Sequence, residues 1–560
     1  METKPLPIGI EDFEKMITGE YYYIDKTGMI KELLDNKEKV NLFTRPRRFG
    51  KSLNMSMLQC YFENNEKDSR MLFKGLQIMN AGQKYLDEMN QYPVISITLK
   101  DANQSAFSSS FYHIKQAIHS EYCRHSYLLK STNLDESHKK AFKRIYTGTP
   151  DVQIYSDSIK FLSKCLELHH KKSVLLFIDE YDVPLENAYF HDYYDEMVDF
   201  MRSLLGSALK SNPSLAFAVM TGCLRISKEN IFTGLNNLNM ISILSDQYSE
   251  YFGFTEKEAE EALAYYHLEE KKNEMREWYN GYYFGESNIY NPWSVIKYLY
   301  TLRANKNRHP DPHWSNTSSN NIIRELIEMA DNEAKEEIEH LIRRESITKP
   351  IFEDIVYAEI KNNMNNLWSF LFFTGYLKKI GETFDGIQRY LTLTIPNTEV
   401  LYIYKRKIRE WFDERIKINN PSVLIHAILN QDTATITREL NKRLEDIISF
   451  HDTAENFYHG FLLGILSNIN GYQVKSNRET GFGRSDIYMK SSGIKRIAII
   501  FECKALKKGE EAVEKGKEAL RQIEVKNYSH NLISEGYHDI RKYAAVFRGK
   551  ECLILCDDKS

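Results

Sequence analysis

Residues 40–53 read VNLFTRPRRFGKSL, and this stretch decides the fold of the first half of the chain. A short apolar run leads into a loop that ends in Gly50-Lys51-Ser52, and a helix-compatible stretch follows. This order of strand, tight loop and helix is typical of a phosphate-binding loop. Gly50 lets the backbone approach a phosphate, Lys51 reaches the β- and γ-phosphates, and the Ser52 hydroxyl ligates Mg²⁺. The pattern predicts an ATP site, and a basic loop that only caps a helix is the alternative.

The loop departs from the usual pattern at its first position, where Arg45 stands in place of a glycine. Arg47 and Arg48 add two positive charges beside Gly50. These charges would repel Lys51 unless the arginines find partners of their own. We therefore predict that Arg47 or Arg48 contacts a phosphate, the nucleotide or an adjacent domain.

A second apolar run, SVLLFIDE at residues 173–180, ends in two acids. Such a run is typical of a buried parallel strand, and ligands bind beyond the carboxyl ends of such strands. Asp179 is predicted to hold Mg²⁺, and Glu180 to polarise the attacking water. A strand closed by a polar cap is the alternative. Two acids downstream of Gly-Lys-Ser favour nucleotide hydrolysis.

A third apolar run, LAFAVM at residues 215–220, precedes two further candidates. Thr221 lies at the end of the predicted strand, where a polar side chain can sense the γ-phosphate. Arg225 can reach a phosphate in its own chain or serve a neighbouring subunit, which would require a homo-oligomer. A plain salt bridge is the alternative for Arg225.

A separate group of candidates lies near the end of the chain. Glu502 and Lys504 are two residues apart in an apolar run, so they project to the same face of a strand. Asp486 on a neighbouring strand would join Glu502 in an oxygen site for Mg²⁺ or Mn²⁺, and Glu455 would add a further carboxylate. Lys504 would orient or deprotonate a water for attack on a phosphodiester. A surface hairpin with alternating charge is the alternative.

Composition narrows the possible partners. The net charge of −4 gives no overall attraction to nucleic acid, so any such binding needs a local patch. The start of the chain lacks the apolar core of a signal peptide, and no apolar run approaches the roughly 18 residues of a membrane span. The seven cysteines form no CxxC pair. These features predict a cytoplasmic protein with no membrane contact.

Taken together, these motifs resemble a bacterial and archaeal family of AAA-ATPase-like proteins with a C-terminal PD-(D/E)XK nuclease-type domain. The resemblance implies the nuclease label and implies that Arg-Pro-Arg-Arg is the family's usual loop sequence. Ser485 precedes Asp486 where the nuclease motif has proline. The matching stretches are residues 7–13, 23–27, 45–52, 177–182, 221–227, 232–237, 278–282, 291–293 and 455–458, with Asp486, Glu502 and Lys504.

The predicted fold class is α/β, in four parts. A P-loop NTPase domain with a parallel sheet covers residues 1–245, and a helical lid with a winged-helix-like region covers 246–397. A helical linker at 398–450 precedes a restriction-endonuclease-like α/β domain at 451–560. Residues 131–150, rich in polar side chains, are predicted to be an exposed excursion.

The leading functional hypothesis is an ATP- and Mg²⁺-dependent nuclease that acts on nucleic acid, with DNA favoured. One alternative is a regulatory ATPase switch whose terminal domain has lost its activity. The other is a nucleic-acid-binding assembly module in which ATP controls oligomerisation. Metal-dependent cleavage, assayed with and without ATP, separates the three.

Overall fold

The fold is described from a computed structural model of the 560-residue chain. Two compact units are present: Met1–Ser318 with Arg344–Ile403, and Ser319–Arg343 with Tyr404–Ser560. The predicted domain boundaries at residues 245, 397 and 450 stay predictions. The structure describes residues 3–64, 68–148, 152–225, 231–232, 237–316, 332–353, 364–406, 422–445, 455–467, 469, 471–476, 486–491, 496–506, 509–525, 532–549 and 551–557.

The first unit is built on a five-stranded parallel sheet with strand order β2-β3-β4-β1-β5. Every residue of β1 and β3 is buried, as expected for parallel strands covered on both faces. The three apolar runs predicted as strands are confirmed at β1, β3 and β4, and a further strand predicted at residues 93–99 is confirmed as β2. The strands are β1 (Val40–Thr44), β2 (Val94–Thr98), β3 (Val174–Asp179), β4 (Leu215–Gly222) and β5 (Leu238–Ile241).

Two smaller antiparallel sheets complete the first unit. One has the order β6-β8-β7 and the other β10-β11-β9. The sequence predicts two strands, near residues 381–386 and 390–395, as the hairpin of the winged-helix-like region, and this hairpin is confirmed as β10 and β11. Strand β9 adds a third strand that the sequence did not predict. The strands are β6 (Phe254–Thr255), β7 (Tyr282–Phe284), β8 (Ser287–Tyr290), β9 (Ile347–Pro350), β10 (Lys378–Phe384) and β11 (Arg389–Thr394).

The second unit contains a five-stranded mixed sheet in the order β12-β13-β14-β15-β16. Its central pair, β14 and β15, is parallel, and the other neighbours are antiparallel. The two units together confirm the predicted α/β class. The strands are β12 (Tyr472–Ser476), β13 (Asp486–Ser491), β14 (Ile497–Ala505), β15 (Asp539–Arg548) and β16 (Glu551–Cys556).

Helices connect and cover these sheets. The helices are α1 (Phe13–Thr18), α2 (Gly28–Asn36), α3 (Lys51–Phe62), α4 (Arg70–Phe73), α5 (Gln83–Leu86), α6 (Phe107–Arg124), α7 (Glu136–Tyr146), α8 (Val152–Ser156), α9 (Ser158–His170), α10 (Val183–Phe190), α11 (Tyr194–Leu209), α12 (Glu256–Tyr265), α13 (Lys272–Tyr279), α14 (Pro292–Ala304), α15 (Asn332–Ile342), α16 (Met364–Phe373), α17 (Ser422–Leu429), α18 (Thr433–Glu445), α19 (Glu455–Ser467) and α20 (Ala512–Val525). Many are short, so their stability depends on the faces they pack against the sheets.

Helix α7 corrects the prediction for the described part of this segment, residues 131–148, which is folded against the domain although many of its side chains are exposed. The Asp135 side chain accepts a hydrogen bond from the backbone N–H of His138 at 2.8 Å and so caps the helix. Phe142 and Ile145, three residues apart on one face, are buried. Two apolar residues and a cap therefore hold this polar segment to the domain.

Helix α18 lies against the outer strand of the terminal sheet. The backbone N–H of Cys552 donates to Asn441 Oδ1 at 2.6 Å, and that of Ile554 donates to Thr437 Oγ1 at 3.0 Å. Thr437 and Asn441 are four residues apart and so share one face of the helix. Part of the segment predicted as a linker thus hydrogen-bonds to the sheet edge.

Candidate functional site

The predicted phosphate loop runs from the end of β1 to the first turn of α3. Gly50 is the residue before the helix and has a φ of +83°, a left-handed conformation that favours glycine. The loop therefore turns sharply and directs the N–H groups of the first turn of α3 outward. These N–H groups and the positive end of the helix dipole suit an anion.

Arg45 explains how the loop holds its shape without a first glycine. Its side chain is fully buried between the rings of Phe252 and Phe284, with the guanidinium carbon 5.2 and 5.1 Å from the ring centroids. Its Nη1 donates to the carbonyls of Thr44, at 3.0 Å, and Ile241, at 2.8 Å. Burial lowers the pKa of Arg45 to about 9. Arg45 is therefore a structural anchor that sequence reasoning treated only as a departure from the pattern.

Phe49 anchors the other end of the loop. Its ring contacts those of Tyr282 and Phe284, with centroids 5.0 and 5.2 Å apart, and its carbonyl accepts from the N–H of Gly253 at 3.1 Å. The loop is therefore attached to the small sheet that contains β7, in addition to its own strand and helix.

Lys51 and Ser52 have the positions expected of a phosphate site. Lys51 is buried and donates to the carbonyls of Arg45 and Pro46 at 3.0 and 3.1 Å. Ser52 Oγ donates to Asp179 Oδ2 at 2.6 Å. The structure thus brings together the hydroxyl and the carboxylate that were predicted, from stretches more than a hundred residues apart, to share Mg²⁺.

The ends of β3 and β4 meet at this carboxylate. Thr221 Oγ1 donates to the second oxygen of Asp179, so both carboxylate oxygens accept from hydroxyls. Glu180 follows with a φ of +54°, a conformation that non-glycine residues rarely adopt. Its side chain lines the adjoining cleft, and burial raises its pKa. A carboxyl group with a raised pKa, next in sequence to a carboxylate that could hold a metal, is suited to act as a general base.

Asp182 is a residue whose role sequence reasoning missed. It is 1% exposed and accepts hydrogen bonds from the backbone N–H groups of Cys223, at 2.6 Å, and Leu224, at 3.0 Å. The Tyr181 hydroxyl donates to the Leu224 carbonyl at 2.7 Å. Burial raises the pKa of Asp182. Together Tyr181 and Asp182 fix the loop after β4. The sequence signal for this role was a further acid two residues after Glu180.

The three predicted arginines have different surroundings. Arg47 pairs with Glu186 at 2.7 Å. Arg48 lies over the Trp293 ring, 4.5 Å from its centroid. Arg225 is half-buried, follows β4 by three residues and is not among the described residues that line the cleft. Two of the three predicted arginines therefore face the cleft.

The cleft itself has a volume of about 410 Å³, within the range of small-molecule sites. Its lining combines the phosphate loop and Glu180 with the N-terminal segment and aromatic side chains. Its lining includes Pro7, Ile10, Met16, Tyr22, Tyr23, Lys26, Arg47, Arg48, Gly50, Lys51, Ser52, Glu180, Tyr251, Phe254, Trp293 and Ile296.

The terminal candidates lie on β13 and β14 of the second unit. The antiparallel register pairs Asp486 with Glu502 directly across the two strands, and residues paired in this way share a face of the sheet. Glu502 is fully buried, and its Oε1 lies 3.0 Å from Lys504 Nζ. Glu455 is the first residue of α19. The side chains of Asp486 and Glu455 lie outside the described part of the chain.

The comparisons with known proteins match both regions. Residues 7–232 match a family described as predicted AAA-ATPase, and residues 453–556 match the PD-(D/E)XK nuclease superfamily. The chain contains an AAA-ATPase-like domain and a PD-(D/E)XK nuclease superfamily domain. The first contributes the phosphate loop and Glu180 to the cleft, whose lining continues beyond residue 232 to Trp293 and Ile296. The second holds Asp486, Glu502 and Lys504.

A curated relative is similar to part of the chain. It is an Azotobacter chroococcum mcd 1 protein named "Uncharacterized protein in vnfD 5'region", 29% identical over 331 residues. The match covers 58% of this chain and 57% of the relative's length. Among the described residues, no helix is long and apolar enough to cross a membrane.

The residues of the AAA-ATPase-like domain fit a magnesium nucleotide. Ser52 and Asp179 supply the hydroxyl and carboxylate oxygens that Mg²⁺ prefers, and Lys51 supplies positive charge beside them. In the nuclease superfamily domain, a fully buried carboxylate at Glu502 opposite Asp486 suits a divalent cation. Among the described His, Cys, Asp and Glu side chains, no group of three or more is arranged to hold a metal ion. The side chains of Asp486 and Glu455 are not among those described.

Proposed function

We propose that the protein binds and hydrolyses ATP in the AAA-ATPase-like domain and uses a metal-dependent site in the terminal domain to cleave nucleic acid, with DNA favoured. The observation that carries the ATPase part is the cluster in which Ser52 and Thr221 both donate to Asp179, beside Lys51 and Glu180. This cluster is formed by three separate loops at one edge of the parallel sheet, where ligands of such folds bind.

Each residue of the cleft has a distinct proposed role. The first turn of α3 and Lys51 bind the phosphates. Ser52 and Asp179 would hold Mg²⁺, which would supply positive charge to the phosphates. Glu180 accepts a proton from the attacking water, and Thr221 senses the γ-phosphate. Arg47, Arg48 and Arg225 are further phosphate contacts, with Arg225 acting in this chain or on a neighbouring subunit of a homo-oligomer.

In the terminal domain, Asp486 and Glu502, helped by Glu455, would hold the divalent cation. The cation would stabilise negative charge on the scissile phosphate. Lys504 orients or deprotonates the attacking water. The close pair of Glu502 and Lys504 supports this assignment over a surface hairpin, because a fully buried carboxylate is not the outer face of a hairpin.

Nucleotide titration of purified variants tests the ATPase part. Lys51→Ala should abolish ATP binding because it removes the cation at the phosphates, whereas Glu180→Gln should bind ATP but hydrolyse it at least a hundredfold more slowly. Lys84→Ala is the matched control, because Lys84 is exposed and lies outside the cleft. Unchanged ATP affinity in Lys51→Ala would overturn the proposal.

Cleavage assays separate this function from its two rivals. A regulatory switch would hydrolyse ATP without metal-dependent cleavage. An assembly module would bind nucleic acid and change its oligomeric state with ATP without cleaving. Cytoplasmic location stays a prediction.

A further inference from the structure

Four cationic side chains line the nucleotide cleft, and their partners differ. Lys26 and Arg47 form ion pairs with carboxylates at 2.6 and 2.7 Å. Lys51 donates to two carbonyls of its own loop. Arg48 is exposed and lies over an aromatic ring. Among the described residues that line the cleft, Arg48 is therefore the cation that loses the weakest existing interaction when it moves to a new anion.

The ring under Arg48 belongs to Trp293, in the first turn of α14. The indole is held in place because its Nε1 donates to the His313 carbonyl at 3.3 Å. Lys297 lies over the same ring, 4.9 Å from the centroid. Arg48 has a φ of +72°, so its backbone conformation is one that non-glycine residues rarely adopt. The next residue, Phe49, is fully buried.

The relative strength of two interactions decides where Arg48 lies when a nucleotide binds. A cation over a ring at an exposed site is a weak contact. A charge-assisted and bidentate hydrogen bond from arginine to a phosphate is stronger and more directional. A phosphate that comes within hydrogen-bonding reach of Arg48 itself will therefore draw its guanidinium off the indole.

We infer, on the basis of the proposed nucleotide site, that Arg48 distinguishes a nucleoside triphosphate from a diphosphate and that Trp293 holds Arg48 until a third phosphate arrives. In the nucleotide-free and diphosphate-bound protein, Arg48 rests on Trp293. The γ-phosphate removes it, which breaks the direct contact between the phosphate loop and α14. The number of phosphates is thereby signalled to the region that begins at α14.

Tryptophan fluorescence tests this directly, because Trp293→Phe isolates the signal of one among five tryptophans. A Mg²⁺ complex of a non-hydrolysable ATP analogue should change the Trp293-dependent emission, and Mg-ADP should not. Arg48→Met should abolish that change and weaken binding of the triphosphate roughly tenfold without altering ADP affinity. Arg48→Lys keeps the charge but not the planar group, so its response should be intermediate.

Lys297→Met is the matched control, since it removes the other cation from the same ring and should leave the triphosphate response intact. An Arg48→Met protein with the parent's ratio of triphosphate to diphosphate affinity overturns the inference. So does a Trp293 signal that responds equally to ADP. If the parent binds neither nucleotide, the proposed ATP site itself fails, and calorimetry distinguishes that result from the others.

Discussion

Replacement of Asp182 by alanine removes the acceptor that holds the loop after β4. In the native chain one oxygen of this buried carboxylate accepts from the N–H groups of Cys223 and Leu224 at 2.6 and 3.0 Å. That loop connects Thr221, whose hydroxyl donates to Asp179, to Arg225. We therefore expect Asp182→Ala to loosen the γ-phosphate side of the site while leaving the phosphate loop unchanged.

The size of the effect follows from the two hydrogen bonds. A hydrogen bond to a charged group contributes about 1.5–3 kcal/mol, so losing both should cost at least about 3 kcal/mol locally. Since about 1.4 kcal/mol corresponds to a factor of ten, the two amides should exchange with solvent at least about a hundredfold faster. Asp182→Asn keeps a carbonyl oxygen that can accept from both N–H groups, so its loss should be about 1 kcal/mol, or roughly fivefold.

Amide hydrogen exchange at Cys223 and Leu224 is the assay, with the amides of β1 as the internal reference. ATP turnover should fall in Asp182→Ala more than ATP affinity does, and Asp182→Asn should restore most of it. If both amides exchange at the parent rate in Asp182→Ala, then the Tyr181 hydroxyl alone holds the loop and the reasoning is wrong.

Two further predictions concern buried carboxylates. Burial raises the pKa of Glu399 to about 8 from its ordinary value of 4.5, so the folded chain keeps a proton that the unfolded chain loses. The free energy of unfolding should therefore fall as pH rises from about 4.5 to 8, by at most about 1.4 kcal/mol per pH unit. Denaturant unfolding measured across this pH range should show a flatter dependence in Glu399→Gln. An equal dependence of the unfolding free energy on pH in both proteins would contradict the prediction. In the terminal domain, Glu502→Ala should abolish metal binding and cleavage together, whereas Lys504→Ala should keep metal binding but slow cleavage, because lysine supplies no oxygen ligand. Calorimetry with Mn²⁺ measures metal binding, and an assay in Mg²⁺ or in chelator measures cleavage. Lys517→Ala, at an exposed position, is the control. Cleavage that persists in chelator would refute the assignment.

The parallel sheet was predictable because its strands are apolar runs long enough to be buried on both faces. Asp179 and Thr221 were predicted as polar residues at the ends of such runs, and Ser52 from the Gly-Lys-Ser motif after the first run. The register of β13 and β14 likewise agrees with the predicted pairing of Asp486 with Glu502.

Other features depend on contacts between distant parts of the chain. Arg45 is buried because Phe252 and Phe284, some two hundred residues later, enclose it. Glu399 is buried against Ser294 and the backbone N–H of Trp314, which no local pattern indicates. Helix α7 was missed for a different reason: its two buried residues are too few to give a clear helical period among so many polar ones.

The contact between α18 and β16 has a practical consequence for anyone expressing the terminal domain alone. The family match begins at residue 453, so a fragment cut there would lack Thr437 and Asn441. The outer N–H groups of Cys552 and Ile554 would then be bare on an open strand edge, which is a template for pairing with other chains. A fragment that begins before α17 at Ser422 keeps this cover and should remain monodisperse where the shorter one aggregates.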